Sequence, residues 1–452
     1  MLSARRPVRY NARVEFFPRS PLVPPTVERP NILVILSDEH APQTLGCMGA
    51  GFARTPNIDR LAAGGATFDA AYCNFALCVP SRASLISGLL CHRINQWDIA
   101  SPLGSEIPTW AHMARRAGYR AVANGKMHFI GPDCWHGFSE HINDGQHKVG
   151  GFRRGEENPD RTGYRAWSEV QITPDAEFRC RDQDIKNDAV AFLNEQPHYQ
   201  PFCMILGFNW PHYPMRVTQS AWDLYEGVEI PDPLPREQMA PRNVHWSDRV
   251  WGFDRFTPEQ TRDARRAYLA MVSMLDGWVG EVLDALEASG QAENTLVVYT
   301  SDHGDMWGEH GLWGKNLFYE ESARVPLIFN GPALGVAEGL RVATPVSLVD
   351  LHPTFRDVIG AEDWNPLLDG RSLWDGCRGL ATLDEQPVFC DYYACDTVGP
   401  ERMIRYGPYK LNYYHRQGKE LFNLADDPHE MTNLIDRPEM NAYCSRCTPL
   451  AA

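Results

Sequence analysis

Apolar residues in this chain come in two arrangements, and each predicts a different element. Short unbroken runs predict strands buried on both faces of a parallel sheet. The first is Asn31-Ile-Leu-Val-Ile-Leu36, which gives way at once to Ser37-Asp38-Glu39-His40. Tyr119–Ala123 and Phe202–Leu206 repeat the pattern, and Thr295–Thr300 ends likewise in Ser301-Asp302-His303-Gly304. Helical stretches fill the intervals: Asn57–Gly64 behind Pro56, Pro108–Gly118 with proline first and glycine last, and a long amphipathic span from Pro258 to Ser289 that Gly290 stops. Strands alternating with helices predict an α/β fold around a large, mainly parallel sheet flanked by helices. Beyond about residue 370 the pattern changes. Arg402–Tyr406, Gly407-Pro408 and Tyr409–Tyr414 read as a β-hairpin, hence a small antiparallel C-terminal subdomain. The chain is accordingly divided into an extension over 1–30, a main domain over 31–370, and a subdomain with a loose tail over 371–452.

Ligands of open α/β sheets collect at the carboxyl ends of the strands. Two strands here end in acidic residues, Asp38 and Asp302, so their loops are expected to meet at one site. Composition narrows what that site can serve. The net charge of −15 repels a nucleic-acid backbone, which argues against DNA or RNA as a partner but leaves room for a local anion site. The chain's 12 cysteines are too sparse over 452 residues for a disulfide framework, and Cys444-Ser-Arg-Cys447 sits in a tail without strand–helix context. The first residues carry Arg5, Arg6, Arg9, Arg13 and Arg19 among prolines without an apolar core, and no run reaches bilayer length. The expectation is a cytoplasmic protein with mostly reduced thiols and no membrane partner; homo-oligomeric assembly stays open.

The sharpest chemical signal is Leu77-Cys78-Val79-Pro80-Ser81-Arg82-Ala83-Ser84-Leu85-Ile86-Ser87-Gly88. Pro80 suits the first turn of a helix, which puts Cys78 at a helix N-terminus, where free N–H groups favour an anion. Arg82, four residues on, shares that helix face and can hold a nucleophile or an oxyanion. A lone Cys-Xaa-Pro would more simply be a buried cysteine before an ordinary helix. A second stretch, Ser301 to Lys315, packs Asp302, His303, Asp305, Glu309, His310 and Lys315 after a strand. A carboxylate and an imidazole there are good ligands for a divalent cation. Gly125-Lys126-Met127-His128 and Asn209-Trp210-Pro211-His212-Tyr213-Pro214 follow two further strands, and either alone would be unremarkable.

Together these strings resemble the formylglycine-dependent sulfatases of the alkaline phosphatase superfamily. The Cys78 string matches that family's signature, Cys-x-Pro-Ser-Arg-x-x-x-Leu-x-Gly, except that Ile86 stands at the leucine position. The resemblance implies an alkaline-phosphatase-like fold and a sulfuric ester hydrolase. It implies that a separate formylglycine-generating enzyme oxidises Cys78 to formylglycine. The hydrated aldehyde would then attack sulfur with one hydroxyl and expel sulfate by collapse of the other. It further implies one divalent cation held by Asp38, Glu39, residue 78, Asp302 and His303. Many relatives carry Asp-Asp where this chain has Asp38-Glu39, so Glu39 is either a ligand or its support. Oxygen-rich ligands favour Ca²⁺, and the imidazole leaves Mn²⁺ open. Lys126 and Lys315 would contact sulfate oxygens, His128 would support the formylglycine hydroxyl, and His212 would protonate the leaving oxygen.

The resemblance runs from Asn31 to about Leu434, through Thr55-Pro-Asn-Ile-Asp-Arg-Leu61, Val346–Thr354, Leu368–Leu373 and Lys419–Leu424. Gly125–Asp133 with His136-Gly137-Phe138, and Glu321–Leu327, are most similar to the choline-sulfatase and phosphonate-monoester-hydrolase branch. The expected substrate is a small sulfate ester, the alternative being a phosphonate monoester or phosphodiester on the same nucleophile. A non-catalytic descendant would have lost the nucleophile, ligands or lysines, and all are present. Trp135, Trp210, Trp307 and Trp313 are candidates to stack on the alcohol part of the substrate, and Asp391 and Asp396 could attract a cationic one.

Overall fold

The computed structural model describes residues 29–143, 162–236, 247–362, 364, 367–395, 397 and 399–440. The Arg-rich start, Asp396 and the Cys444–Cys447 pair lie outside them.

Eight strands form the central sheet: β1 (Asn31–Asp38), β2 (Gly65–Phe68), β3 (Arg120–Gly125), β4 (Glu140–Ile142), β5 (Phe202–Pro211), β6 (Thr295–Ser301), β7 (Leu327–Asn330) and β8 (Leu340–Val342). Their order is β8-β2-β7-β6-β1-β5-β3-β4. From β6 to β4 every pairing is parallel, whereas β7 runs antiparallel to both β6 and β2. Every residue of β1 and β6 is buried, as strands covered on both faces require. Two apolar layers do the covering. The long helix Pro258–Ala288 dominates one, and the helices Cys78–Ser87, Trp110–Arg116 and Leu351–Ile359 belong to the other. The long helix starts on a capping box, Thr257 with Gln260, behind Pro258. Its end, and the ends of the other elements read from sequence, differ from expectation by a residue or two, except that β5 runs on from Leu206 to Pro211.

The register puts four strand ends side by side. Ser37 of β1 pairs with Ser301 of β6, Asp38 with Pro211 of β5, and Gly125 of β3 with Gly207 of β5. Asp38, Asp302, His212 and Lys126 therefore leave one edge of the sheet together. Two of the residues that follow take a left-handed backbone, Glu39 at φ 65° and His128 at φ 58°. Non-glycine residues adopt that conformation at a cost, typically where a side chain must be aimed.

The C-terminal sheet is an antiparallel meander of Val388–Tyr392, Glu401–Tyr406, Tyr409–Tyr414 and Gly418–Asn423, with the expected hairpin at its centre. A buried charge cluster fastens it to the segments around Tyr72 and Glu320. Lys410 Nζ lies 2.9 Å from both Glu320 Oε1 and Glu430 Oε1, and its side chain has no exposed surface. Tyr72 donates to Glu320 from the other side at 3.1 Å. Lys410→Met would strand two carboxylates in the interior. Removing one partner of such a cluster costs about 3–5 kcal/mol, so the urea midpoint of the variant should fall by that equivalent; an unchanged midpoint would show that the cluster does not fasten the sheet. Among the described residues, no helix is long and apolar enough to cross a membrane.

Candidate active site

The helix Cys78–Ser87 begins at Cys78 itself, and all ten of its residues are buried. Cys78 Sγ is 3.2 Å from His303 Nε2, 3.7 Å from Asp38 Oδ1 and 4.0 Å from Lys126 Nζ. Ligand atoms of Asp38, Cys78, Asp302 and His303 all lie within 4.8 Å of one another. His303 Nδ1 sits 3.0 Å from the Gly304 carbonyl, which can only accept, so that nitrogen carries a proton and Nε2 faces the cluster. Two carboxylates, an imidazole and the residue-78 side chain converging in a buried cradle fit a divalent cation by donor chemistry. Glu39 and His128 border it: Glu39 forms a second group of close ligand atoms with Asp38 and His212, and His128 hydrogen-bonds the Cys78 side chain.

Arg82 lies on the expected face but does not bond the Cys78 sulfur. Its Nε donates to Asp302 Oδ2 at 2.7 Å, its Nη2 to Asp38 Oδ2 at 3.3 Å, and its Nη1 to the Lys126 carbonyl. Full negative charges outcompete a thiol for a buried guanidinium. Burial tends to raise the Asp38 carboxyl, as does Cys78. Lys126, which also forms an ion pair with it, His212 and Arg82 outweigh both and bring it down to about 2. Ser81 adds a bond that sequence reading missed, donating to the Asp302 carbonyl at 2.5 Å. Its position three residues after Cys78 on one helix face was the available signal.

Across the cradle, Lys315 Nζ contacts Glu39 Oε2 at 2.8 Å and His212 Nε2 at 2.7 Å. His212 Nε2 is also 3.1 Å from Glu39 Oε2. His212 Nδ1 donates to the Tyr213 carbonyl at 2.7 Å, which leaves Nε2 as the nitrogen turned to the site. Burial pushes the His212 imidazole below its usual value, and the Lys315 ammonium adds to that. Burial works against the Lys315 charge, yet Cys78 and Glu39 hold its ammonium well above the usual lysine range. Glu39 thus faces Lys315 and His212, with Asp38 as its chain neighbour. Farther back, Arg265 of the long helix braces the loop that carries Lys315: it donates to the Trp307 carbonyl and to Glu309 Oε1, both at 2.7 Å. No sequence pattern announced that brace.

Two expectations are corrected. Trp210, Trp307 and Trp313 are buried in the interior and offer no face to a substrate. Arg265 lies 3.6 Å over the Trp307 ring, Phe256 stacks on Trp313, and Trp278 packs on Trp210, because large rings between a sheet and a helix fill the core first. Trp135 is the exception, at 54% exposed. Asp391 is not a cation-seeking surface acid. It is buried, and Arg402 donates to it at 2.6 Å, as does the Tyr393 hydroxyl.

Comparison with known proteins agrees with this geometry. The Sulfatase family model matches residues 30–361, and that of the N-sulphoglucosamine sulphohydrolase C-terminal region matches 308–448. A choline-sulfatase of Rhizobium meliloti (strain 1021) is 37% identical over 434 residues, covering 91% of this chain and 84% of that protein. Arylsulfatase K of Danio rerio is 30% identical over 437 residues, covering 91% and 81%. Among solved structures, a protein in complex with its substrate D-glucosamine-2-N,6-O-disulfate superposes with a TM-score of 0.77 at 25% identity, covering 93% of this chain and 96% of that one. The phosphonate monoester hydrolase of Agrobacterium radiobacter shares the fold, with a TM-score of 0.76 at 22% identity over 93% and 95% of the two chains. The chain therefore belongs to the sulfatase family, within the alkaline phosphatase superfamily, and is a sulfatase.

Proposed function

We propose that this sulfatase cleaves a sulfate monoester with a formylglycine made from Cys78 and one divalent cation. The observation that carries the reading is the convergence of Asp38, Cys78, Asp302 and His303 at the start of a buried helix. The sulfur of the unmodified Cys78 marks the place that the formylglycine side chain would take in the mature protein. The formylglycine hydrate would supply a hydroxyl nucleophile and an exit by collapse to the aldehyde. The cation, Ca²⁺ or else Mn²⁺, would supply Lewis-acid polarisation. It would be held by Asp38, Asp302, His303 and residue 78, with Glu39 as a further ligand or as the support of His212 and Lys315.

The chain's other residues have separable tasks. Arg82 fixes the two aspartates, and through them the cradle. Lys126 and Lys315 bind the sulfate oxygens and neutralise their charge. His128 orients the residue-78 side chain. His212 Nε2 faces the leaving oxygen, where negative charge grows as the S–O bond breaks; since Nδ1 holds the proton bonded to the Tyr213 carbonyl, the donor is the imidazolium, which takes up a solvent proton on Nε2 as the sulfate anion enters and passes that proton on. The same reading assigns this chemistry to residues 31–370 and leaves 371–452 as an accessory unit. A formylglycine-generating enzyme is the implied maturation partner.

The test is intact mass of active protein, with conversion of Cys78 read as a fixed loss, beside turnover on an aryl sulfate, choline sulfate, a sulfated sugar and a phosphonate monoester. Unconverted Cys78 in fully active protein would overturn the nucleophile. Turnover of the phosphonate ester alone would overturn the substrate class.

A further inference from the structure

We propose that Trp167, on the short helix Arg165–Ser168, is a positioning residue that sets the side chain facing the leaving group, His212. The inference rests on the role given above to His212. Trp167 is 2% exposed, so it is not a substrate platform. Its ring meets Tyr213 at a centroid distance of 3.9 Å, and Tyr213 in turn stacks on His212 at 4.2 Å with 28° between the planes. The Tyr213 ring thus touches both Trp167 and the imidazole. Tyr213 also accepts the His212 Nδ1 proton on its carbonyl, and Lys315 Nζ sits 5.3 Å from its ring centroid. On its other side Trp167 reaches the residue before Lys315. A Cβ at Gly314 would fall 3.0 Å from Trp167 Cζ2 and 3.4 Å from Glu39 Oε1, and Gly314 has φ +73°. The indole therefore lies against both Tyr213 and Gly314.

The indole is itself immobilised. Trp251 and Phe253 pack edge-on against it at 5.6 Å and 5.3 Å, and the Ala166 carbonyl accepts from Met215 N at 3.2 Å. The hydrogen bond to the Tyr213 carbonyl fixes one nitrogen of His212 but leaves the ring plane free to rock about it. Stacking against Tyr213, with Trp167 behind, fixes the plane and with it the line along which Nε2 points. Proton donation depends on that line, and a misplacement of about 1 Å can cost about 10²-fold in rate.

Good leaving groups need little protonation, so the experiment reads the dependence on leaving group. Wild type, Trp167→Leu, Trp167→Phe, Tyr213→Leu and His212→Ala are compared on substituted phenyl sulfates, from 4-nitrophenyl to unsubstituted phenyl, and on an alkyl sulfate. Metal content and residue-78 conversion are measured for each. We expect Trp167→Leu to lose about 10²-fold in kcat/KM on the poorest leaving group and only a few-fold on the best, with metal and conversion unchanged. Trp167→Phe should recover most of the loss, and His212→Ala should show the same steepened dependence. If Trp167→Leu does not fold, Tyr213→Leu carries the comparison. Equal losses on every leaving group in the Trp167 and Tyr213 variants, beside a steepened His212→Ala, would overturn the positioning role alone. A flat His212→Ala would overturn the acid role on which it rests.

Discussion

Serine in place of Cys78 should give a protein that reacts once and stops. The motivation is the position of residue 78 at a helix start, 3.2 Å from His303 Nε2 and within reach of Lys126. A serine hydroxyl there can attack the sulfate ester and release the alcohol. It then carries a sulfate ester of its own, with no second hydroxyl to expel it. Cys78→Ser should therefore release at most one equivalent of alcohol and gain the mass of SO3, while Cys78→Ala should do neither. Because the barrier moves from chemistry on a hydrate to hydrolysis of an alkyl sulfate, multiple turnover should drop by many orders of magnitude; each factor of ten is about 1.4 kcal/mol in the barrier. The measurement is intact mass after incubation with an aryl sulfate, paired with a steady-state assay. Repeated turnover of Cys78→Ser at the wild-type rate would falsify the formylglycine mechanism for this protein.

Removing either lysine should be damaging to a lesser degree, without unfolding the chain. Lys126 and Lys315 approach the cradle from opposite sides: one contacts Asp38 and the Cys78 sulfur, the other Glu39 and His212. Two buried ammonium groups around a cluster of acids are what a monoanionic sulfate would need to enter it. Lys126→Ala and Lys315→Ala should each lower kcat by about 10²–10³, the loss expected from deleting one preorganised charge donor. Both variants should be less stable than wild type, because each deletion leaves a buried carboxylate, Asp38 or Glu39, short of a partner; turnover is therefore read well below their unfolding midpoints. Near-normal turnover in both would mean that the anion binds elsewhere.

Much of this was legible before any coordinates. β1 and β6 stood out because a strand covered on both faces must be apolar throughout, and each ended in the aspartate that the site uses. The order of the strands, though, depends on pairings between segments far apart in the chain, which no local pattern encodes. The extension of β5 to Pro211, which delivers His212 to the strand edge, is hidden because Gly207 and then Asn209 interrupt the apolar run; Asp182 satisfies that asparagine by bonding both its backbone and its side chain. Spacing puts Arg82 on the face of Cys78 but does not reveal its partners, because it cannot decide the contest between a thiol and two carboxylates. The tryptophans failed for a related reason. In sequence, a ring that packs under Arg265 is indistinguishable from one that stacks on a ligand.

The spacing of the strands has a consequence for timing. Ser37 is joined to Ser301 across 264 residues, and Cys78 to His303 across 225. A ribosome adding about 5–20 residues per second leaves an interval of roughly tens of seconds between the synthesis of Cys78 and that of His303. During that interval β1 lacks its β6 neighbour, and the segment that becomes the buried Cys78 helix is without part of what covers it. The thiol is reachable then and sealed afterwards. Under the formylglycine proposal, an enzyme that modifies residue 78 would meet it already inside a finished surface once that interval has passed, and the converted fraction, read by intact mass, should then vary with expression rate and temperature.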